Sequence, residues 1–149
     1  MRICIFGAGA IGSFVTAKLA ASGADVRLVA RGPALEAIRQ QGLRLETPAG
    51  AETVQVPVSD DPATFGPQDV VLVATKAHAL KAAAAAAQPL LGPETRVVFA
   101  QNGVPWWYAH GFAAPGLAQG PLAAIDPDGA IWRGFGPERA VGCTAFAPN

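Results

Sequence analysis

Ile3-Cys4-Ile5-Phe6-Gly7-Ala8-Gly9-Ala10-Ile11-Gly12 is the stretch that decides the fold. Its first four residues form a short apolar run of the kind a buried strand needs. Residues 13–22 follow as a helix, with Ile11, Phe14, Val15 and Leu19 on one helical face. Between the two stands GxGxxG in strand–turn–helix order. The first glycine permits the tight turn, the second lets backbone approach a pyrophosphate, and the third lets the helix pack closely on the strand. The helix N-terminus adds unpaired N–H groups and a partial positive charge. Gly7, Ala8, Gly9, Ala10, Ile11 and Gly12 are therefore expected to cradle a dinucleotide; the plain alternative is a Gly-rich turn in an ordinary α/β domain.

Outward from this motif the chain alternates strand and helix. Gly23 is a natural helix stop, and residues 25–31 (DVRLVAR, after Ala24) read as a second strand. Pro33 opens a short helix reaching about Gln41, and Gly42 ends it. Residues 43–47 and 53–56 alternate with period two around a turn at 48–50, which predicts a β-hairpin. Residues 59–68 read as loop or a single helical turn. Residues 70–74 (VVLVA) and 96–100 (RVVFA) are continuous apolar runs, typical of parallel strands covered on both faces. Between them, residues 78–89 contain six consecutive alanines (82–87), a small-sided helix by propensity. Two further strands are expected at 130–133 and 140–146. The sum is an α/β, doubly wound, mostly parallel Rossmann-type sheet with helices on both faces.

The 149 residues suit one domain, 51% hydrophobic and 15% charged, which excludes a disordered chain. Net charge is zero, but residues 1–50 hold six Arg/Lys against three acids and residues 51–149 hold five against eight. That excess is too small and scattered for a nucleic-acid surface. No apolar run approaches the ~20 residues of a membrane span. Cys4 and Cys143 fall in predicted strands without metal-ligand spacing and read as reduced core residues of a cytoplasmic protein, with no metal site.

Cofactor choice turns on the end of the second strand. An NAD-binding domain usually carries an acid there for the ribose 2′-OH. This chain has Ala30 and Arg31, and no acid until Glu36. A guanidinium would bind a 2′-phosphate bidentately, so NADP is expected over NAD; a solvated surface arginine would leave the missing acid unexplained. Lys76 follows VVLVAT, and Gln101-Asn102-Gly103 follows RVVFA, both at strand ends where open α/β sheets bind ligands. Taken singly, each has a bland reading, as a solvated lysine and an Asn-Gly turn. His78 and His110 have no carboxylate or Cys at catalytic spacing and read as structural or exposed.

Together GAGAIG, Arg31, VVLVATK ending in Lys76, VVFAQNG containing Asn102, the following GVPWWY and the AVGCTAF segment closely resemble the ketopantoate reductase (2-dehydropantoate 2-reductase) family. The resemblance spans nearly all of the chain. It implies NADPH-dependent reduction of a small 2-oxo acid, a step toward pantothenate and coenzyme A. Arg31 would hold the 2′-phosphate, Lys76 would sit on the adenosine side, and Asn102 would lie near the nicotinamide ribose and the substrate. The family also has a second, helical domain supplying a Lys proton donor and a substrate-binding Glu. Residues 1–149 then form the dinucleotide-binding domain alone, with no catalytic residue of their own; Lys76 and Lys81 lie on the wrong side of the expected nicotinamide. On that reading the isolated chain is inactive although the whole enzyme is active. Trp106, Trp107 and Trp132 are candidates for an apolar patch the second domain would cover. Pro148, which cannot donate a backbone hydrogen bond, departs from the family where the chain passes the cofactor. Two other classes fit the same residues: another two-domain NADP-dependent 2-oxo or 3-hydroxy acid dehydrogenase, and a free-standing NADP-binding sensor module. Neither the exact 2-oxo acid nor the oligomeric state is encoded legibly.

Overall fold

The computed structural model describes residues 1–48, 50–116 and 119–144. Six strands form one sheet: β1 (Arg2–Phe6), β2 (Asp25–Val29), β5 (Val58–Ser59), β6 (Gln68–Val73), β7 (Leu91–Ala100) and β8 (Ala140–Cys143). Their order is β5-β2-β1-β6-β7-β8, and every neighbouring pair is parallel. Strands β3 (Leu43–Thr47) and β4 (Gly50–Val54) make a separate antiparallel hairpin, as expected, although β4 begins at Gly50 within the expected turn and ends at Val54 rather than spanning 53–56. Helices are α1 (Ala10–Ala21), α2 (Gly32–Gln41), α3 (Leu80–Ala86) and α4 (Ala130–Phe135).

Strand β1 explains why both faces must be covered. Cys4 and Phe6 point into one apolar cluster with α3, α4 and Trp106, while Ile3 and Ile5 point into another with Ala17 of α1 and Leu35 and Ile38 of α2. Side chains alternate across a strand, so a run with no polar position needs a layer on each side. This is the doubly wound parallel arrangement.

Four details differ from the sequence reading. First, residues 130–133 are helical. Asp126, 2% exposed, accepts hydrogen bonds from the N–H groups of Ile131 (3.1 Å) and Trp132 (2.8 Å), and Gly129 takes a left-handed turn (φ 64°) just before the helix. That buried cap outweighs the β-propensity of Ile131 and Trp132. Second, α1 buries Gly12, Thr16 and Ala17, whereas Ile11 and Phe14 are 42% and 50% exposed. Close approach to the sheet selects small residues, and Val15 and Leu19 pack at the side of the contact. Third, Trp106 is buried and Trp107 and Trp132 are half-buried, joined with Phe99 and Phe135 in an aromatic cluster, so they do not form an exposed patch. Fourth, Cys143 is exposed on β8, because an edge strand lacks a covering layer there; Cys4 is fully buried. Strand β5 went unread because its two residues owe their conformation to pairing with Leu28 and Val29. Of the expected strand at 140–146, residues 145–146 lie outside the described residues, as does Pro148. No helix among the described residues is long and apolar enough to cross a membrane.

Candidate functional site

The predicted residues converge on one edge of the sheet. Strands β2, β1, β6 and β7 end nearly level, with Phe6 paired to Val29 and Val73, and Val73 paired to Phe99. Beyond those ends, in spatial order, stand Arg31, the Gly7–Gly12 loop, Lys76 and Asn102. Residues up to 95 positions apart in the chain thus share one edge, of the kind where open parallel sheets bind ligands.

Each glycine of the loop has its own reason. Gly7 has φ 115°, which an L side chain rarely adopts, and its N–H donates to Val29 O (3.0 Å), turning the chain over the end of β2. Gly12 lies against the loop itself: a Cβ there would fall 1.9 Å from Gly7 O and 3.2 Å from Ala74 Cβ. Gly9, the N-cap of α1, has ordinary extended backbone (φ −76°, ψ −178°), and a Cβ there would meet nothing nearer than Ala74 O at 4.0 Å. Protein contacts therefore require glycine at positions 7 and 12 and leave free space beside Gly9. Its first helical turn carries no acidic residue, and no side chain caps it. The positive end of α1 and its unpaired N–H groups face the loop uncompensated, a ready anion site.

Arg31 is the N-cap of α2, in extended conformation (φ −137°, ψ 157°), exposed and in no ion pair among the described residues. The fold does bring acids to the neighbouring strand end that chain order concealed: Ala30 N–H donates to Ser59 O (3.1 Å), and Asp60 and Asp61 follow. Asp61 is engaged in capping the next turn through Ala63 N–H (3.0 Å). Lys76 is exposed at the head of a single helical turn (Ala77–Ala79) leading into α3.

The sequence reading named Gln101 only beside Asn102 at the strand end and did not single out Thr75; the structure gives both a role. The Gln101 side-chain amide donates to Thr75 O (2.7 Å), tying the end of β7 to the end of β6 and fixing the backbone that presents Lys76 and Asn102. Thr75 packs its methyl group below Gly7. Polar residues directly after buried apolar strands were the available signal. His78 and His110 are exposed, as read; His110 sits 6.0 Å from the Trp132 ring.

An anion cradle, an exposed guanidinium and a polar strand end thus lie along one edge of the sheet. Comparison with known proteins narrows the kind. Residues 3–105 match the model of the family described as ketopantoate reductase PanE/ApbA. The chain belongs to the ketopantoate reductase family. It is 48% identical over 147 residues to a 2-dehydropantoate 2-reductase of Mesorhizobium japonicum, covering 98% of this chain and 45% of the relative. A crystal structure of a protein from Ralstonia solanacearum MolK2, assigned to the ketopantoate reductases, superposes with a TM-score of 0.88 at 45% identity, over 97% of this chain and 44% of that one. A ternary structure of D-mandelate dehydrogenase with NADH and anilino(oxo)acetate superposes at 0.64 with 28% identity, over 70% of this chain and 35% of that one. The chain thus spans about half the length of the curated ketopantoate reductases it matches.

Proposed function

We propose that residues 1–149 are the NADP-binding domain of an NADPH-dependent reductase of 2-dehydropantoate or a close 2-oxo acid. A second domain, outside this sequence, would supply the proton donor and most substrate contacts. The single observation that carries the cofactor assignment is Arg31, exposed and in no ion pair among the described residues, at the end of β2, where an NAD domain would place an acid. The length ratio to the family's relatives supports the two-domain reading.

In this reading the α1 N-terminus and the backbone at Gly9 hold the pyrophosphate. Arg31 grips the 2′-phosphate, Lys76 lies on the adenosine side, and Asn102 orients the nicotinamide ribose and the substrate. Gly7, Ala8, Ala10, Ile11 and Gly12 shape the loop. When bound, the reduced nicotinamide supplies a hydride to the carbonyl carbon. The chain's own residues bind and orient; the proton for the developing alkoxide would come from the second domain. Two unpaired cysteines fit a reducing cytoplasm.

Calorimetric titration with NADPH and NADH tests the assignment. Losing a charge-assisted pair costs about 1.5–3 kcal/mol, so Arg31→Ala should weaken NADPH roughly 10- to 150-fold and leave NADH nearly unchanged. Equal affinity of the unaltered chain for the two cofactors would overturn the NADP reading.

A further inference from the structure

Where β6 and β7 end, their backbones are held unequally. On the β6 side, Ala74 N–H donates to Phe6 O (3.0 Å) and Ala79 N–H donates to Lys76 O (2.9 Å), so the backbone carrying Thr75 and Lys76 is tied before and after. The β7 ladder closes at Ala100, opposite Cys143 of β8. The backbone then turns through Gly103, whose φ of 108° an L side chain rarely adopts, and beyond it Val104 is 61% exposed. Into this turn reaches the Gln101–Thr75 bond, 2.7 Å long, which joins two half-buried residues 26 positions apart in the chain. Neighbouring strands lie about 4.8 Å apart. A glutamine amide spans that gap, whereas asparagine is one methylene shorter and an ionised glutamate has no donor. A fixed point on β6 therefore holds the residue immediately before Asn102.

We propose that Gln101 is a positioning residue for the nicotinamide half of the cofactor, acting through Asn102 and leaving the pyrophosphate and 2′-phosphate contacts alone. This rests on the NADPH reading, in which Asn102 orients the nicotinamide ribose. The selectivity follows from the unequal ties. Gly7 is held by its own bond to Val29 O, and the backbone before Arg31 is held by the bond from Ala30 N–H to Ser59 O. Lys76 sits on the β6 side, whose ties do not involve Gln101. Breaking the Gln101 bond therefore releases the turn at 101–103 and little else. A binding group displaced by a fraction of an ångström keeps its chemistry but loses its alignment, which weakens the contacts it makes without abolishing them.

Two ligands separate the halves of the site: NADPH, and adenosine 2′,5′-bisphosphate, which lacks the nicotinamide half. Both are titrated calorimetrically into the 149-residue chain. Gln101→Met keeps the length of the side chain and removes the donor. It should weaken NADPH about 3- to 10-fold, the net worth of one hydrogen bond, and leave the bisphosphate within about 2-fold, with the circular dichroism unchanged. Should that variant not fold, Gln101→Leu serves in its place. Asn102→Ala weakens NADPH by itself, and adding Gln101→Met to it should cost less than about 2-fold more, because contacts that act independently would multiply. Equal weakening of both ligands marks a merely structural role and overturns the proposal. Unchanged NADPH affinity in Gln101→Met, or a multiplied loss in the double variant, overturns it too. The NADP reading fails by a different observation, equal affinity of the unaltered chain for NADPH and NADH, which leaves the Gln101 comparison intact; a chain that binds neither overturns both.

Discussion

Gly9 and Gly12 belong to one motif, yet the geometry assigns them opposite failures. Gly12→Ala drives a methyl group to 1.9 Å from Gly7 O and 3.2 Å from Ala74 Cβ, and the nearer obstacle is backbone that cannot rotate away. Helix α1 must lift from the loop, which opens its contact with the sheet. Overpacking of a tight core costs about 1–3 kcal/mol and sometimes more, and a clash with backbone belongs at the upper end. For a chain of this length ~3 kcal/mol lowers the melting temperature by roughly 6–12 °C. Gly9→Val behaves differently. Its backbone is already extended, and the space beside it is open to 4.0 Å, so the fold should lose at most about 1 kcal/mol, the difference between glycine and a poor N-cap. The isopropyl group would instead occupy the space proposed for the pyrophosphate, and NADPH binding should vanish. Differential scanning calorimetry and NADPH titration on both variants separate the two effects. The reasoning fails if Gly12→Ala melts within about 2 °C of the unaltered chain, or if Gly9→Val binds NADPH normally.

Two further perturbations probe features outside the loop. Asp126→Ala removes the acceptor for two N–H groups that open α4 and should cost about 2–4 kcal/mol in urea unfolding, with Asp126→Asn recovering part of it; an unchanged midpoint would show that α4 holds without its cap. Burial pushes the Cys4 thiol up from 9.0 to about 12, the positive Arg27 opposing this. The unfolded thiol therefore ionises first, and the contribution is intact below pH 9.0 and is lost as pH rises toward about 12. The slope from this group is ~1.4 kcal/mol per pH unit, and it should disappear in Cys4→Ala. A thiol reagent should meanwhile label Cys143 at once and Cys4 only on unfolding; prompt labelling of both would refute the burial argument.

What was legible in the sequence follows from which forces act locally. Strands β1, β6 and β7 declared themselves because burial on two faces gives each an unbroken apolar stretch, residues 3–6, 70–73 and 97–100, and β2 showed the same character at Leu28 and Val29. The turn over β1 was legible because backbone geometry demands glycine at 7 and 12 at fixed offsets after the strand. The failures share a cause as well. Helix α4 is set by Asp126, four residues before it starts, and β5 by a strand nearly thirty residues upstream. The buried face of α1 is decided by how closely the sheet approaches, and a rule that places large apolar residues inward cannot register that distance. Gln101 gained its role only when β7 came to lie beside β6.

The position of β1 has a consequence for how the molecule is made. This strand leaves the ribosome ahead of the segments that flank it, but it occupies the middle of the sheet, and its partner on one side, Val70 opposite Ile3, is encoded 67 residues later. At a synthesis rate of ~5–20 residues per second, that edge of β1 waits roughly 3–13 s before β6 exists to cover it. Meanwhile β2 can already close the other side through a short crossover. The nascent chain therefore passes through a stage in which a half-built sheet offers an apolar strand edge. That interval, rather than the finished fold, is when the protein is most exposed to pairing with a neighbouring copy of itself.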